Sequence, residues 1–183
     1  LIQTVTEEMD AYNLTKATRP MTTFVDNLSN WYVRRSRRRF WKSENDGDKD
    51  EAYQTLYTVL VEFTKLLAPF MPYVSDTIYT NLTGEASVHM ADWKKTKKAY
   101  IQESLNRENF VVRQVVTLGH AVRDKANIKV RQPLTLVQIG LPANLSSKIV
   151  EAQKAVICEE LNVKELTILK DAAEFVTRVV IPN

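Results

Sequence analysis

The chain has 183 residues, of which 44% are hydrophobic and 26% are charged, and its formal net charge is +3. These values are ordinary for a folded globular chain and argue against intrinsic disorder. A single cysteine excludes an internal disulfide and a zinc site built from several cysteines, and no apolar run is long enough for a membrane-spanning helix.

The first half of the sequence predicts helices. Residues 1–18 read as a helix. The sequence begins without an initiator Met, and its first turn already looks like the middle of a helix, so we expect a soluble, cytoplasmic piece of a longer polypeptide that does not enter a membrane. Pro20 suits the first turn of the next helix, because proline lacks the N–H that would be unpaired there. The remaining predictions for this half are a helix over 21–41, a polar connector over 45–50, an amphipathic helix over 51–68 and a short helix over 73–82.

A linker and a long helix follow. Mixed polar residues around Gly84 indicate a linker over about 83–95. The apolar period then resumes and predicts a helix from about residue 100 to residue 124. Gly119 lies on its apolar side, where the missing side chain would let another backbone approach closely.

The last part of the sequence has a mixed character. The predictions are a strand over 134–139, a helix over 144–161 that begins at Asn144 or Ser146, and strands over 164–169 and 175–181. We therefore expect a mainly α fold, in which a helical bundle over residues 1–125 is followed by a small α/β unit over residues 126–183.

Positive charge is concentrated at one place in the sequence. Residues 19–42 hold seven Arg and Lys side chains against one acid, so the rest of the chain is net acidic. Five of the arginines lie within residues 34–39, with tryptophan and tyrosine beside them. A concentration of this kind is what an anionic partner would require.

A helical projection separates this segment into two faces. At about 100° per residue, Met21, Phe24, Val25, Leu28 and Tyr32 form an apolar stripe. The opposite face carries Asn27, Asn30, Arg34, Arg37, Arg38 and Trp41, with Trp31 on the border. Guanidinium groups bind phosphate, asparagine pairs with base edges and tryptophan stacks on unpaired bases. The polar face therefore predicts an RNA-binding surface, the alternative being an ordinary solvated helix face.

Two arginines do not fit this division. Arg35 and Arg39 project toward the apolar stripe, where an isolated charge would be costly. Either the helix extends beyond its core at this end, or these side chains pair with acids from neighbouring segments. Both stay among the candidates for RNA contact, as does Trp31.

A second basic cluster lies where the long helix gives way to a strand. Arg123 and Lys125 are typical of a helix C-terminus, where cations offset the helix dipole. Lys129 and Arg131 lie beyond the helix and are further RNA candidates.

No residue pattern predicts catalysis. His89 and His120 have no motif neighbours, Cys158 lies in an apolar helix segment and suits a small buried hydrophobe, and no phosphate-binding glycine loop occurs. We expect no catalytic, metal-binding or cofactor-binding residue in this chain.

Three segments resemble the isoleucyl-tRNA synthetase family, and they occur in the same order. The most specific is NLSNWYVRRSRRRFW over 27–41, which resembles a segment of the family's helical anticodon-binding region. The others are LAPFMPY over 67–73 with SVHMADW over 87–93, and KVRQPL over 129–134 with ELNVKE over 160–165. The resemblance covers nearly the whole chain, and valyl-, leucyl- and methionyl-tRNA synthetases share the bundle but not the arginine run.

The resemblance implies a helical anticodon-binding bundle whose partners are tRNA, in particular isoleucine tRNA, and the catalytic and editing domains of the parent chain. The complete enzyme would attach isoleucine to its tRNA using ATP with Mg²⁺, whereas this piece itself would hold no cofactor. The residues that we assign to tRNA binding are Asn27, Asn30, Trp31, Arg34, Arg35, Arg37, Arg38, Arg39, Trp41, Lys129 and Arg131. The alternatives are the same region of another class I synthetase, or a helical module whose arginines bind an acidic protein.

Overall fold

The computed structural model describes residues 1–41, 47–96, 98–142 and 145–169. The chain forms two compact units, residues 1–98 and residues 99–183. The fold is mainly α with a small parallel sheet, which confirms the predicted fold class. None of the helices in the described ranges is long and apolar enough to cross a membrane. The strand predicted over 175–181 lies outside the described residues.

Helices build the first unit. Their bounds are α1 (Ile2–Asp10), α2 (Leu14–Asn27), a π-helical turn (Leu28–Val33), α3 (Arg34–Phe40), α4 (Gly47–Leu67) and α5 (Pro72–Thr83). The first two helices pack on each other, and α4 packs on both α3 and α5. A short 3₁₀ turn, Val88–Met90, follows α5 and packs against it.

The sequence predicts a break between the first two helices at Pro20. In the structure, the break between α1 and α2 lies earlier in the chain. Tyr12 adopts a left-handed backbone conformation with φ of 59°, and the N–H of Asn13 reaches back to the carbonyl of Glu8 at 2.7 Å. Pro20 lies inside α2, where a proline typically costs about 3 kcal/mol. Ala17 and Met21, on either side of it, are both buried, so packing of this face keeps the helix continuous through the proline.

The helix α4 also begins earlier than predicted. Of the connector expected over 45–50, residues 45 and 46 lie outside the described residues, and residues 47–50 are helical. Asp48 and Asp50 lie in the first turn of α4, where the unpaired N–H groups and the helix dipole favour acidic side chains. Acidic residues that read as a polar connector therefore belong to a helix start.

Two apolar clusters hold the first unit together. In the first, Val5 and Met21 pack against Phe63 and Leu66 of α4, and the ring of Phe24 stacks on that of Phe63 with centroids 5.2 Å apart. The second consists of Val61, Ala68, Tyr79 and Val88. The helix α4 contributes to both clusters, so it is the element around which this unit packs.

The predicted linker is fastened to this unit by hydrogen bonds from several of its residues. The carboxylate of Asp76 accepts hydrogen bonds from the hydroxyl of Ser87 at 2.7 Å and from the N–H of Val88 at 2.8 Å. The hydrogen bond from Ser87 has the larger effect, and together with the bond from Val88 it holds the pKa of Asp76 below its usual range. Farther along, the indole N–H of Trp93 donates to the hydroxyl of Thr6 at 2.9 Å.

The second unit combines helices with a parallel pair of strands. Its elements are α6 (Glu103–Lys125), β1 (Leu134–Gly140), α7 (Ser147–Ala152), α8 (Lys154–Leu161) and β2 (Val163–Leu169). The register of the sheet pairs Leu134 with Val163 and Gly140 with Leu169. The helix predicted over 144–161 is divided into α7 and α8, because the backbone of Gln153 leaves helical values at φ −107° and ψ 18°.

The helix α6 belongs to the second unit, because it packs on α7 and α8. The predicted domain boundary at residue 125 therefore falls inside this unit. The close approach expected at Gly119 occurs here: a Cβ added to Gly119 would lie 2.5 Å from a methyl carbon of Leu161.

We expect Gly119→Ala to destabilise the second unit by up to about 2 kcal/mol. Alanine in a helix gains about 1 kcal/mol over glycine, but overpacking typically costs 1–3 kcal/mol, and Leu161 is only 2% exposed and has little room to move. Denaturant unfolding followed by far-UV circular dichroism measures the change. Gly47→Ala is the control, since a Cβ at Gly47 would meet nothing within 4 Å. Equal stabilisation by both substitutions would contradict the expectation.

Candidate nucleic-acid interface

The arginine-rich segment lies at the end of a continuous helical rod made of α2, the π-helical turn and α3. In the π-helical turn the backbone N–H of Arg34 is directed to the carbonyls of Ser29 and Trp31. A regular α-helix would pair it with the carbonyl of Asn30. That carbonyl instead accepts a hydrogen bond from the side-chain Nε–H of Arg34 at 2.8 Å. Arg34 therefore supports the local backbone of the rod as well as carrying charge.

The π-helical turn rotates the two halves of the rod relative to each other. In a regular helix, Phe24 and Ser36 would lie about 120° apart around the axis. Phe24 nevertheless stacks in the core, while Ser36 is only 5% exposed. The wider turn thus acts like one inserted residue, which offsets the helical phase by about 100°.

This offset changes which predicted residues share a face. Asn27, before the turn, is half-buried and is rotated away from the arginines that follow the turn, so the structure does not bring it onto their face. Val25 of the predicted apolar stripe is 43% exposed, but it precedes the turn in the same helix as Met21 and Phe24, so the offset is not the cause. The prediction was made with one uniform period of 3.6 residues per turn, which a π-helical turn breaks.

The structure does bring together the central residues of the predicted surface. Arg34, Arg37, Arg38 and Trp41 are exposed and lie in α3 or directly after it, and Asn30 is exposed within the π-helical turn. At about 100° per residue, Arg37, Arg38 and Trp41 lie within about 60° of Arg34 around the rod axis. We call Arg34, Arg37, Arg38 and Trp41 the arginine face.

Arg39 follows the second of the two explanations offered for it. Its guanidinium forms an ion pair with the carboxylate of Asp48 at 2.7 Å and donates to the backbone carbonyl of the same residue at 3.1 Å. The hydrogen bond to Asp48 raises the pKa of Arg39 above its usual value. The pair joins α3 to the start of α4. Two tyrosine bonds support the junction, from Tyr32 to the carbonyl of Ala52 at 3.2 Å and from Tyr53 to that of Phe40 at 3.3 Å.

Arg35 is half-buried and lies over the ring of Trp31, with 5.4 Å between the guanidinium carbon and the ring centroid. In a second pair, whose partners are also four positions apart in sequence, Arg37 lies over the ring of Trp41 at 5.5 Å. The two pairs differ in exposure, because Trp31 is half-buried whereas 76% of Trp41 is exposed.

The basic cluster of the second unit divides into two kinds of residue. Lys129 and Arg131 are exposed, as a surface that binds an anion requires. Arg123 is only 4% exposed and donates to the carbonyls of Lys129, Gln132, Leu161 and Asn162 at 2.7–3.2 Å. The sequence predicts only that Arg123 offsets the dipole of its own helix. It gives no local signal for these long-range hydrogen bonds.

Sequence reasoning also missed two residues that position the arginine face. Ser36 interrupts the arginine run and is buried, so it marks the side of α3 that packs against the rest of the unit. Asp48 holds Arg39. The serine between arginines is a signal that could have been used, since a small side chain in a run of long ones suits a close helix contact. Among the described residues, no three His, Cys, Asp or Glu side chains are placed to hold a metal ion.

Comparison with known proteins gives consistent results. The family model described as the anticodon-binding domain of tRNA ligase matches residues 1–138. Isoleucine–tRNA ligase of Protochlamydia amoebophila is 40% identical over all of this chain and 18% of its own length. The corresponding ligases of Dehalococcoides mccartyi and Treponema denticola are 48% and 42% identical, each over 91% of this chain and over 17% and 15% of their own lengths.

The comparisons also show how much of each protein is matched. The chain spans less than a fifth of the length of these relatives. The family match runs through α6 and ends within β1, whereas the compact units divide before α6. The division into domains at residue 125 therefore stays a prediction.

Proposed function

The chain belongs to the family of anticodon-binding domains of tRNA ligases, and from this premise we propose that it binds the anticodon stem-loop of isoleucine tRNA within an isoleucine–tRNA ligase. The observation that carries the proposal is the arginine face, with Arg37 and Arg38 exposed on one side of a short helix and an exposed tryptophan at its end. The proposed amino acid rests on the similarity to the three isoleucine–tRNA ligases.

The chemistry of the arginine face suits this RNA. An anticodon loop presents phosphates at close spacing together with unpaired bases, and sequence-specific RNA recognition usually targets such unpaired regions. Arginine binds phosphate with paired N–H donors in a fixed geometry. Ser36, Arg39 and the π-helical turn hold α3 in place, so little conformational entropy is lost when RNA binds.

The other residues assigned to tRNA binding have different places in the proposal. Arg39 and Arg35 are engaged with Asp48 and Trp31, so we assign them to positioning the face. Lys129 and Arg131 of the second unit would contact the RNA backbone separately. Asn27 is the weakest candidate, since it is half-buried and rotated away from the arginine face.

In the parent ligase, this chain would bind and orient the tRNA while other domains perform the chemistry. Binding energy gained at the anticodon would place the distant acceptor end in the catalytic domain. We propose that the catalytic domain uses ATP with Mg²⁺, that a further domain edits the product, and that the enzyme acts in the cytoplasm. The chain itself takes no cofactor in this proposal.

A titration with matched RNAs tests the proposal. The chain is titrated with transcripts of isoleucine tRNA and of an unrelated tRNA at two salt concentrations, and an acidic protein serves as the control ligand. We expect tighter binding to the isoleucine tRNA and a loss of affinity at the higher salt, because phosphate contacts release counterions. Equal affinity for both tRNAs would contradict the assignment to isoleucine. Binding to the acidic protein but to neither RNA would contradict RNA binding itself.

A further inference from the structure

The two arginine–tryptophan pairs of the rod offer different surfaces to a ligand. In each pair a guanidinium covers one face of the indole at 5.4–5.5 Å. Trp31 is half-buried, so protein and Arg35 together leave little of its ring available. Trp41 is 76% exposed, so the ring face away from Arg37 is open to solvent.

Single exposed apolar side chains are ordinary on protein surfaces, so the exposure of Trp41 carries weight only together with its place at the end of the arginine face and its contact with Arg37. The neighbouring arginine fixes the orientation of the indole, since a guanidinium over an aromatic ring is attracted by the ring electrons. An oriented indole with one open face is the surface on which an unpaired base stacks.

We propose that Trp41 is the stacking residue for one unpaired base of the bound RNA, whereas Trp31 positions Arg35 and does not touch the RNA. The inference rests on the proposed function, because it assigns the ligand class of the same arginine face. It narrows that function by giving different roles to the two tryptophans that the sequence analysis assigns to tRNA binding. Arg37 has a double role, holding the indole while its charge faces the nearby phosphates.

Binding of two RNAs to tryptophan variants tests the inference. The first RNA is the stem-loop of the isoleucine anticodon, and the second is the same stem closed as a blunt duplex without unpaired bases. We expect Trp41→Ala to weaken stem-loop binding about five- to 150-fold, the range that corresponds to one base stacked on an aromatic ring. Binding of the duplex should not change, nor should the salt dependence of binding, because no charge is removed.

The matched variants separate stacking from packing. Trp41→Phe retains an aromatic ring and should keep most of the affinity for the stem-loop. Trp31→Phe should also bind the stem-loop with nearly wild-type affinity, since its ring is assigned to positioning. Trp93 lies far from the arginine face in sequence, and its indole donates to Thr6. Trp93→Phe therefore serves as the control for a tryptophan outside the arginine face.

Fluorescence gives a second readout that does not depend on affinity. In the Trp31→Phe/Trp93→Phe chain, Trp41 is the remaining tryptophan, and stem-loop binding should quench its emission while duplex binding should not. A wild-type affinity of Trp41→Ala for the stem-loop, or an equal loss on both RNAs, would overturn the inference and leave RNA binding intact. Failure of the wild-type chain to bind either RNA would overturn the proposed function and the inference with it.

Discussion

Replacing Arg123 by alanine is expected to lower the free energy of unfolding of the second unit by about 3–5 kcal/mol. The guanidinium donates to four backbone carbonyls, two of them at the end of α8 and two in the segment between α6 and β1. The carbonyls of Lys129 and Asn162 also accept hydrogen bonds from backbone N–H groups. Removal of the 4% exposed Arg123 would therefore take its donor chiefly from the carbonyls of Gln132 and Leu161. Each unsatisfied group costs about 1–3 kcal/mol.

The experiment needs a probe in the correct unit. The three tryptophans, at positions 31, 41 and 93, all belong to the first unit, so tryptophan fluorescence would not report the change. Amide hydrogen exchange of α6 and β1 reports it directly. Lys125→Ala is the matched control, because Lys125 is an exposed cation in the last turn of the same helix and should change stability by less than about 0.5 kcal/mol. A loss below about 1 kcal/mol for the Arg123 variant would show that water replaces its hydrogen bonds.

The double substitution Arg37→Ala/Arg38→Ala is expected to weaken tRNA binding about 30- to 150-fold while leaving the fold unchanged. Both side chains are exposed, where solvent screening lowers each contact to about 1–1.5 kcal/mol, so the loss of two contacts corresponds to about 2–3 kcal/mol. The slope of log affinity against log salt should also fall, by about 0.7–0.9 for each phosphate contact removed. These two arginines are better choices than Arg34, whose Nε–H also holds the carbonyl of Asn30.

A control with the same change in charge separates local contact from general attraction. Lys16 and Arg19 are exposed on α2, before the π-helical turn, and Lys16→Ala/Arg19→Ala removes the same two charges from the rod. Binding and the salt slope should change far less in this variant. If both double variants lost affinity equally, the arginine face would have no special role, and only the net charge of the unit would attract the RNA.

The sequence predicted best the features that depend on interactions between neighbouring residues. The elements with long, regular apolar periods were predicted with modest errors at their ends, as α5 and β1 show. The helix ends that differ, at Tyr12 and Gly47, depend on a left-handed residue and on a first turn rich in acids, and both were misread as other signals. The residues of the arginine face are all exposed, and one helical period applies to them because they follow the π-helical turn.

By itself, the sequence determined the fold class, the concentration of arginine between positions 34 and 39 and the resemblance to the anticodon-binding region, because composition, periodicity and motifs are properties of neighbouring residues. Tertiary structure decided how the rod is oriented in its core. Phe24 packs in the core on one side of the π-helical turn and Ser36 is buried on the other, although a regular helix would place them about 120° apart. Their packing indicates an offset in helical phase, and no local pattern encodes such an offset. Contacts between distant segments likewise decided that Arg39 pairs with Asp48 and that Arg123 binds the carbonyls of Leu161 and Asn162.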